Sequence, residues 1–364
     1  METSLLYRIG LTLIPGIGDV NGRKLIHYCG SAEAVFNASR KELMAIEGMG
    51  SATVNSILNQ HVLQRAEEEI KFLEQNGIQA LYCEDDRYPQ RLRNCYDHPL
   101  MLYYKGVADM NHQRIVAVVG TRKATAYGKR YCDKLVEGLM NQDVLLVSGL
   151  AYGIDSCAHQ KCVDLGIPTV GVLGHGLDIL YPDQNRKLAE VMLQKGGLLT
   201  EFLSNTKPDR EHFPQRNRIV AGMCDALIVV ESGLKGGALI TADLANSYNR
   251  DVFAIPGRLD DHFSKGCNHL IKTNRAALVQ SADDIAYIMG WEGRSEVRQT
   301  RLFTDFTEDE TRLFNLLKEE GKLGVDQLVI RSGMLPSQVA NILLNLELKG
   351  GVQLLPGKQY KVLE

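Results

Sequence analysis

Between Ile115 and Gly257 the chain five times runs a short apolar strand straight into a loop of glycine and polar residues. IVAVV leads into Gly120-Thr-Arg122, VLLV into Ser148-Gly149, and VGVL into Gly174-His-Gly176. LIVV leads into Glu231-Ser-Gly233 and Gly236-Gly237, and VFAI into Pro256-Gly257-Arg258. Amphipathic helical stretches separate these strands, and that alternation specifies a doubly wound, mostly parallel sheet of the α/β class. In such a sheet ligands bind beyond the carboxyl ends of the strands. Loops that expose backbone amides suit phosphate, so the ligand expected there is a phosphodiester.

The chain of 364 residues exceeds what one compact core usually serves, so two or three domains are expected. Residues 1–75 read as a helical domain with a near-repeat, Ile14-Pro-Gly-Ile-Gly18 and Ile46-Glu-Gly-Met-Gly50, each followed by a helical segment. This is the pattern of a helix-hairpin-helix pair, whose tight turn aims free amides at a phosphate with help from the helix dipole. The basic flank is Arg23 and Lys24 in the first copy and nothing in the second, which leaves scaffold and DNA contact both open. Tyr82 to Gly106 mixes prolines, aromatics and charges without periodicity and reads as a connector laid over the main domain. That main domain spans 82–290, and a polar linker covers 291–304. In 305–364, helical segments open at Thr307, within VDQLVIRSG and at Pro336, and a short hairpin closes the chain, the order of a winged helix. Its third helix carries no Lys or Arg between Pro336 and Glu347, which favours partner docking or self-packing over reading DNA.

Whole-chain charge leaves the partner open, because a formal net charge of -3 can hide a local basic stripe. Eight cysteines without CxxC pairs read as reduced, buried thiols, with neither a zinc ribbon nor a disulfide framework. METSLLYRIG lacks a basic leader with a cleavage site, and no apolar run approaches bilayer length. A soluble, cytoplasmic protein is therefore expected. No third glycine follows Gly174-His-Gly176 and no GxxxxGK[ST] occurs, so neither a dinucleotide cofactor nor NTP hydrolysis is supported.

The densest chemistry-bearing cluster is Phe213-Pro-Gln-Arg216-Asn-Arg218, preceded by Arg210 and His212. Guanidiniums beside an aromatic ring are the parts needed to pin phosphates and stack an unpaired base. The alternative is that Arg216 and Arg218 pair with Asp209, Glu211 or Asp225 while Phe213 enters the core. Arg122 places a cation just past the first strand, and Lys235 before Gly236-Gly237 repeats the arrangement of a cation plus a helix start. Asp155 and His159 stand four apart and share a helix face. Glu201 with Asp155 or His159 is the runner-up reading, a nucleotide-hydrolysing site; the structural alternative has Asp155 cap the helix start and His159 tie neighbouring loops.

Val119-Gly-Thr-Arg122, Ser148-Gly-Leu-Ala-Tyr-Gly-Ile-Asp155 with Ala158-His159, Gly176-Leu-Asp-Ile-Leu-Tyr-Pro182, Phe213-Pro-Gln-Arg-Asn-Arg218, Gly237-Ala-Leu-Ile-Thr241 and Pro256-Gly257 together resemble the DNA-processing protein A (DprA, also called Smf) family. The resemblance runs from about Tyr82 to Ile288 and implies an extended Rossmann-like domain that binds single-stranded DNA. It further implies a homodimer that loads the RecA recombinase during natural transformation, with no cofactor and no catalysis. Arg122, Ser148, Gly149, Gly174, Arg210, Phe213, Arg216, Arg218, Lys235, Gly236 and Gly237 would line the strand-binding groove, with Arg122 and Arg210 as phosphate clamps and Phe213 as a stacking wedge. One departure is Gly236-Gly-Ala238, where members commonly have a Ser after the glycine. The Pro-Gly-Gly-x-Gly-Thr loop of nucleotide-hydrolysing relatives is replaced by Ser232-Gly-Leu-Lys-Gly-Gly237.

Overall fold

The computed structural model describes residues 2–291, 306–349, 351–355 and 359–362. They divide into two compact units, Met1–Trp291 and Glu292–Glu364. Apart from Trp291, the stretch read as a linker lies outside the described residues.

The first unit opens with helices α1 (Glu2–Leu13), α2 (Asp19–Cys29), α3 (Ala32–Asn37), α4 (Arg40–Met44), α5 (Ser51–Leu58) and α6 (Leu63–Gln75). The near-repeat folds as one turn made twice. Gly16 and Gly48 take the left-handed conformation at φ 83° and 80°, which glycine adopts without steric cost. The Ile17 and Met49 amides each donate to the carbonyl three residues back at 3.1 Å. Ile14, Ile17, Ile46 and Met49 are buried, so the turns are held by the same apolar side chains that the repeat supplies.

The chain continues through β1 (Gln79–Tyr82), α7 (Gln90–Arg93) and β2 (Met101–Gly106), so the expected connector starts at the end of one strand and holds a short helix and a second strand. Met101, Leu102, Tyr103 and Tyr104 are all buried, a run with no alternation to reveal it behind a Pro-rich, charged approach. The wound part follows as β3 (Ile115–Gly120), α8 (Ala126–Leu139), β4 (Leu145–Ser148), α9 (Ile154–Leu165), β5 (Thr169–Val172), α10 (Arg186–Met192) and β6 (Gly197–Thr200). It ends with α11 (His212–Met223), β7 (Ala226–Glu231), α12 (Gly237–Ser247), β8 (Asp251–Ala254), α13 (Lys265–Lys272), β9 (Ala277–Leu278) and α14 (Ala282–Ile288).

The nine strands run in the order β1-β2-β6-β5-β4-β3-β7-β8-β9. From β6 to β9 all neighbours are parallel, while β2 joins β6 and β1 antiparallel at one edge. Along β3 the side chains alternate between two cores: Ile115, Ala117 and Val119 pack with the helical layer, Val116 and Val118 with α8 and α9. The former core runs without a break from Ile9 and Val54 into the sheet, which is why residues 1–75 and the sheet form one unit.

The second unit contains α15 (Glu308–Glu320), β10 (Lys322–Gly324), α16 (Val325–Ser332), α17 (Pro336–Leu348), β11 (Val352–Leu355) and β12 (Gln359–Val362). Its strands pair antiparallel in the order β10-β12-β11 around Leu313, Leu317, Leu328, Val339 and Leu343, the winged-helix arrangement expected. Thr307 caps α15 reciprocally with Glu310.

Candidate nucleic-acid interface

β3 sits between β4, its successor, and β7, which arrives only after three more strands. Strand order therefore reverses at β3, and loops leaving β3, β4 and β7 diverge around a crevice. A cavity of about 960 Å³ opens there, lined by Gly120, Thr121 and Arg122 after β3, Gly149 and Ala151 after β4, and Ser232 to Gly237 after β7. Arg210, Phe213, Arg216 and Asn217 close one side, and His262, Phe263 and Lys265 another.

The rim is cationic. Arg122, Arg210, Lys235 and Lys265 are exposed at it. The Arg122 guanidinium lies 4.7 Å from the centre of the half-buried Phe213 ring, and the Tyr181 ring lies 6.3 Å from Phe213 on the side of a small adjoining pocket that includes Gly174. This stack holds a cation and an apolar face together, and a phosphodiester with an unpaired base needs both. Helix α12 begins at this rim after Gly236, with no side-chain cap, so its first amides and positive dipole end face the same space.

Beneath the rim lies a buried polar floor. Arg216 is buried, and its guanidinium donates to the carbonyls of Gly149 and Val172, tying the ends of β4 and β5 together. Burial lowers it to about 10, with Asp155 acting against that. Burial in turn pushes the Asp155 carboxyl up against the pull of Arg216, and Asp155 accepts from the Ala151 amide at 3.4 Å. A side chain on Gly149 would run into the Arg216 guanidinium, which is why glycine stands there. Glu231, buried at the end of β7, accepts from the Thr125 amide at 2.9 Å and its hydroxyl at 2.6 Å. Thr125 also caps α8, so this carboxylate fixes the loop that carries Arg122.

Nine of the residues expected in the groove line the cavity or its side pocket; two do not. Ser148 is fully buried and donates to the Val118 carbonyl at 2.5 Å, beneath the floor. Arg218, two residues along α11 from Arg216, points the other way and pairs with Glu201 and with Asp19 at 3.0 Å. It also donates to the Asp97 carbonyl. Its partners are thus neither Asp209, Glu211 nor Asp225; the last is held by Arg91 at 2.6 Å. His262, Phe263 and Lys265 were not foreseen, although the Pro256-Gly257-Arg258 loop that leads to them was already placed at this end of the sheet.

Glu201 is brought beside neither Asp155 nor His159. Asp155 borders the cavity. His159 is buried with its Nδ1 2.7 Å from the Thr169 hydroxyl, and since that hydroxyl donates to the Leu146 carbonyl, Nδ1 carries the proton. Burial, then Arg216, lowers the imidazole to about 3, so it is neutral. Glu201 lies against Arg218 at the seam with the helical layer. Among the described residues no cluster of His, Cys, Asp and Glu could hold a metal ion, and no helix is long and apolar enough to cross a membrane. The first hairpin's basic flank is engaged inside the unit: Arg23 donates to the carbonyls of His98 and Tyr96, and Lys24 to that of Glu47 in the second hairpin.

Comparison with known proteins is decisive at this point. Residues 79–290 match the family of DNA recombination-mediator protein A, 303–358 its winged helix domain, and 9–60 a SAM-like helix-hairpin-helix tandem. The chain belongs to the DNA processing protein A, or Smf, family. Protein Smf of Synechocystis is 32% identical with 98% of both chains covered. DNA processing protein DprA of Streptococcus pneumoniae is 43% identical over 55% of this chain and 71% of its own. The X-ray structure of the pneumococcal protein superposes with a TM-score of 0.67 at 33% identity, covering 78% of this chain and 96% of that one. A Helicobacter pylori family member, whose structure concerns its single-stranded DNA binding mode, gives 0.53 at 28% identity, covering 58% and 95%.

Proposed function

We propose that this member of the family binds single-stranded DNA without catalysis in the crevice above β3, β4 and β7. The observation that carries the reading is Arg122 stacked over Phe213 at the mouth of a cavity rimmed by Arg210, Lys235 and Lys265. Cations and free amides hold the sugar-phosphate chain, while the half-buried ring accepts a base that only an unpaired strand exposes. Few groups there read base edges, so sequence preference is weak. The Helicobacter pylori relative supports the choice of ligand. We further infer that the chain works as a homodimer and hands its strand to the RecA recombinase in DNA uptake and recombination, which the family's description as a recombination mediator supports.

The direct test is a salt titration of oligothymidylate binding. Arg122→Ala is expected to weaken binding uniformly across sequences and to lower the salt slope by about 1. A variant that binds as tightly as the parent at every salt concentration would remove the groove from the reading. Turnover of nucleoside monophosphates lost on Glu201→Gln would restore the hydrolase.

A further inference from the structure

Behind the groove, α8 and α9 pack side by side and set two thiols against each other. Cys132 on α8 is fully buried, while Cys157 on α9 is only partly so. Their contacts are reciprocal. The Cys132 sulfur lies 3.9 Å from the Ile154 carbonyl, one turn before Cys157, and the Cys157 sulfur lies 3.8 Å from the Lys129 carbonyl, one turn before Cys132. Side chains on a helix lean toward its amino end, so two such contacts place both sulfurs in the seam at one height. The contact with Cys157, then burial, pushes the Cys132 thiol well above its usual range. Cys162, by contrast, is fully buried five residues further along α9.

We propose that Cys132 and Cys157 are an oxidisable pair that closes to a disulfide between α8 and α9 when the protein meets a peroxide. Cys157 reacts first, since it is the less buried of the two. Its proton leaves, to the Asp133 carboxylate 3.2 Å away or to water, and the thiolate attacks one peroxide oxygen. An S–O bond forms, the O–O bond breaks, and the departing hydroxide takes up a proton as water. The Cys132 sulfur then attacks the sulfenic sulfur: S–S forms, S–O breaks, and hydroxide leaves with the Cys132 proton as a second water. Two thiols are oxidised and one peroxide is reduced. Cys132, held neutral in the seam, is the resolving partner, shielded from the oxidant until Cys157 has reacted.

The bond has a route to the groove, and this consequence rests on the DNA-binding reading. α8 starts just after the Arg122 loop and α9 just after the Gly149 loop. The two loops touch: the Ile154 amide donates to the Thr121 carbonyl at 3.2 Å, and a side chain on Gly153 would run into Thr121 and Arg122. A disulfide of about 2.05 Å is much shorter than any contact between thiols, so closing it draws the helices together where their loops already abut.

The test uses the intact, reduced chain exposed to hydrogen peroxide, alkylated, and digested without reductant. The expected result is a Cys132–Cys157 linked peptide pair as the main linkage, absent in Cys132→Ser, where a dimedone-type reagent instead traps a sulfenic acid on Cys157. Cys157→Ser, altered at the less buried position, serves if Cys132→Ser does not fold, and is expected to leave Cys132 unoxidised. Oxidation of Cys157 alone in the parent, with Cys132 still free, overturns the pair, as does a different main linkage. Oligothymidylate binding by intact, undigested portions of the same oxidised chain is expected to weaken about fivefold, the low end of coupling between linked sites, and to recover with dithiothreitol. Complete linkage with unchanged binding overturns the route to the groove. Failure of the reduced chain to bind oligothymidylate overturns the DNA reading while the linked peptides still judge the thiols.

Discussion

Phe213 has a cation 4.7 Å from one side and the Tyr181 ring 6.3 Å from it, yet remains half-exposed at the cavity. A ring held this way is preorganised to take a base. Phe213→Ala is expected to weaken oligothymidylate binding by about 1 to 3 kcal/mol. Phe213→Tyr should keep most of it, and thermal melting of both variants separates lost stacking from lost packing. The places of Arg122 and Lys235 at the cavity were legible in the sequence because each follows a strand of the parallel sheet within a glycine loop, whereas Phe213 sits on α11 and only its arginine-rich neighbourhood marked it. Ser148 and Arg218 were misjudged because side-chain direction turns on single positions: Arg216 and Arg218 sit two apart on one helix and so face different ways. What captures Arg218 is Asp19, 199 positions earlier, which no local pattern announces.

At the scale of elements, that long-range pair clamps the start of α2 to α11. Arg218 bridges Asp19 and Glu201 in a setting where both acids are largely shielded, and Asp19 also accepts from the Leu100 amide at 2.9 Å. Burial outweighs Arg218 and raises the Glu201 carboxyl to about 7. The folded chain thus holds a proton on Glu201 that the unfolded chain, with an ordinary carboxylate near 4.5, has already released. Stability from this group is present at the acidic end and is lost as pH rises from about 4.5 to 7, by up to about 3 kcal/mol. Glu201→Gln, which keeps an oxygen for Arg218 and cannot titrate, is expected to flatten that part of the profile. Urea denaturation of parent and variant at pH 5 and pH 7 checks it, and parallel profiles would assign the slope elsewhere. The hairpin turns themselves were readable, since only glycine serves at Gly16 and Gly48. The docking of α2 on the sheet and the edge strands β1 and β2 were not, because both depend on burial against distant partners.

For the whole molecule, the cavity and its cations belong entirely to the unit Met1–Trp291. The second unit offers α17, the helix that winged-helix proteins usually turn toward DNA. Its exposed positions among the described side chains are Pro336, Ser337, Gln338, Ala340, Asn341, Leu344, Asn345 and the acidic Glu347, with no positive charge to release counterions from a phosphate chain. A chain ending at Trp291 is therefore expected to bind oligothymidylate within about threefold of the full chain, with the same salt slope, since removing a domain that contacts no phosphate removes no counterion release. Fluorescence anisotropy at two salt concentrations, with light scattering to hold oligomeric state fixed between the samples, makes the comparison. If the shortened chain lost tenfold or more, a slope smaller by one or more phosphates would mean that the second unit grips the strand directly. An unchanged slope with a changed mass would instead trace the loss to assembly, because two cavities linked in a dimer bind one strand far more tightly than either does alone.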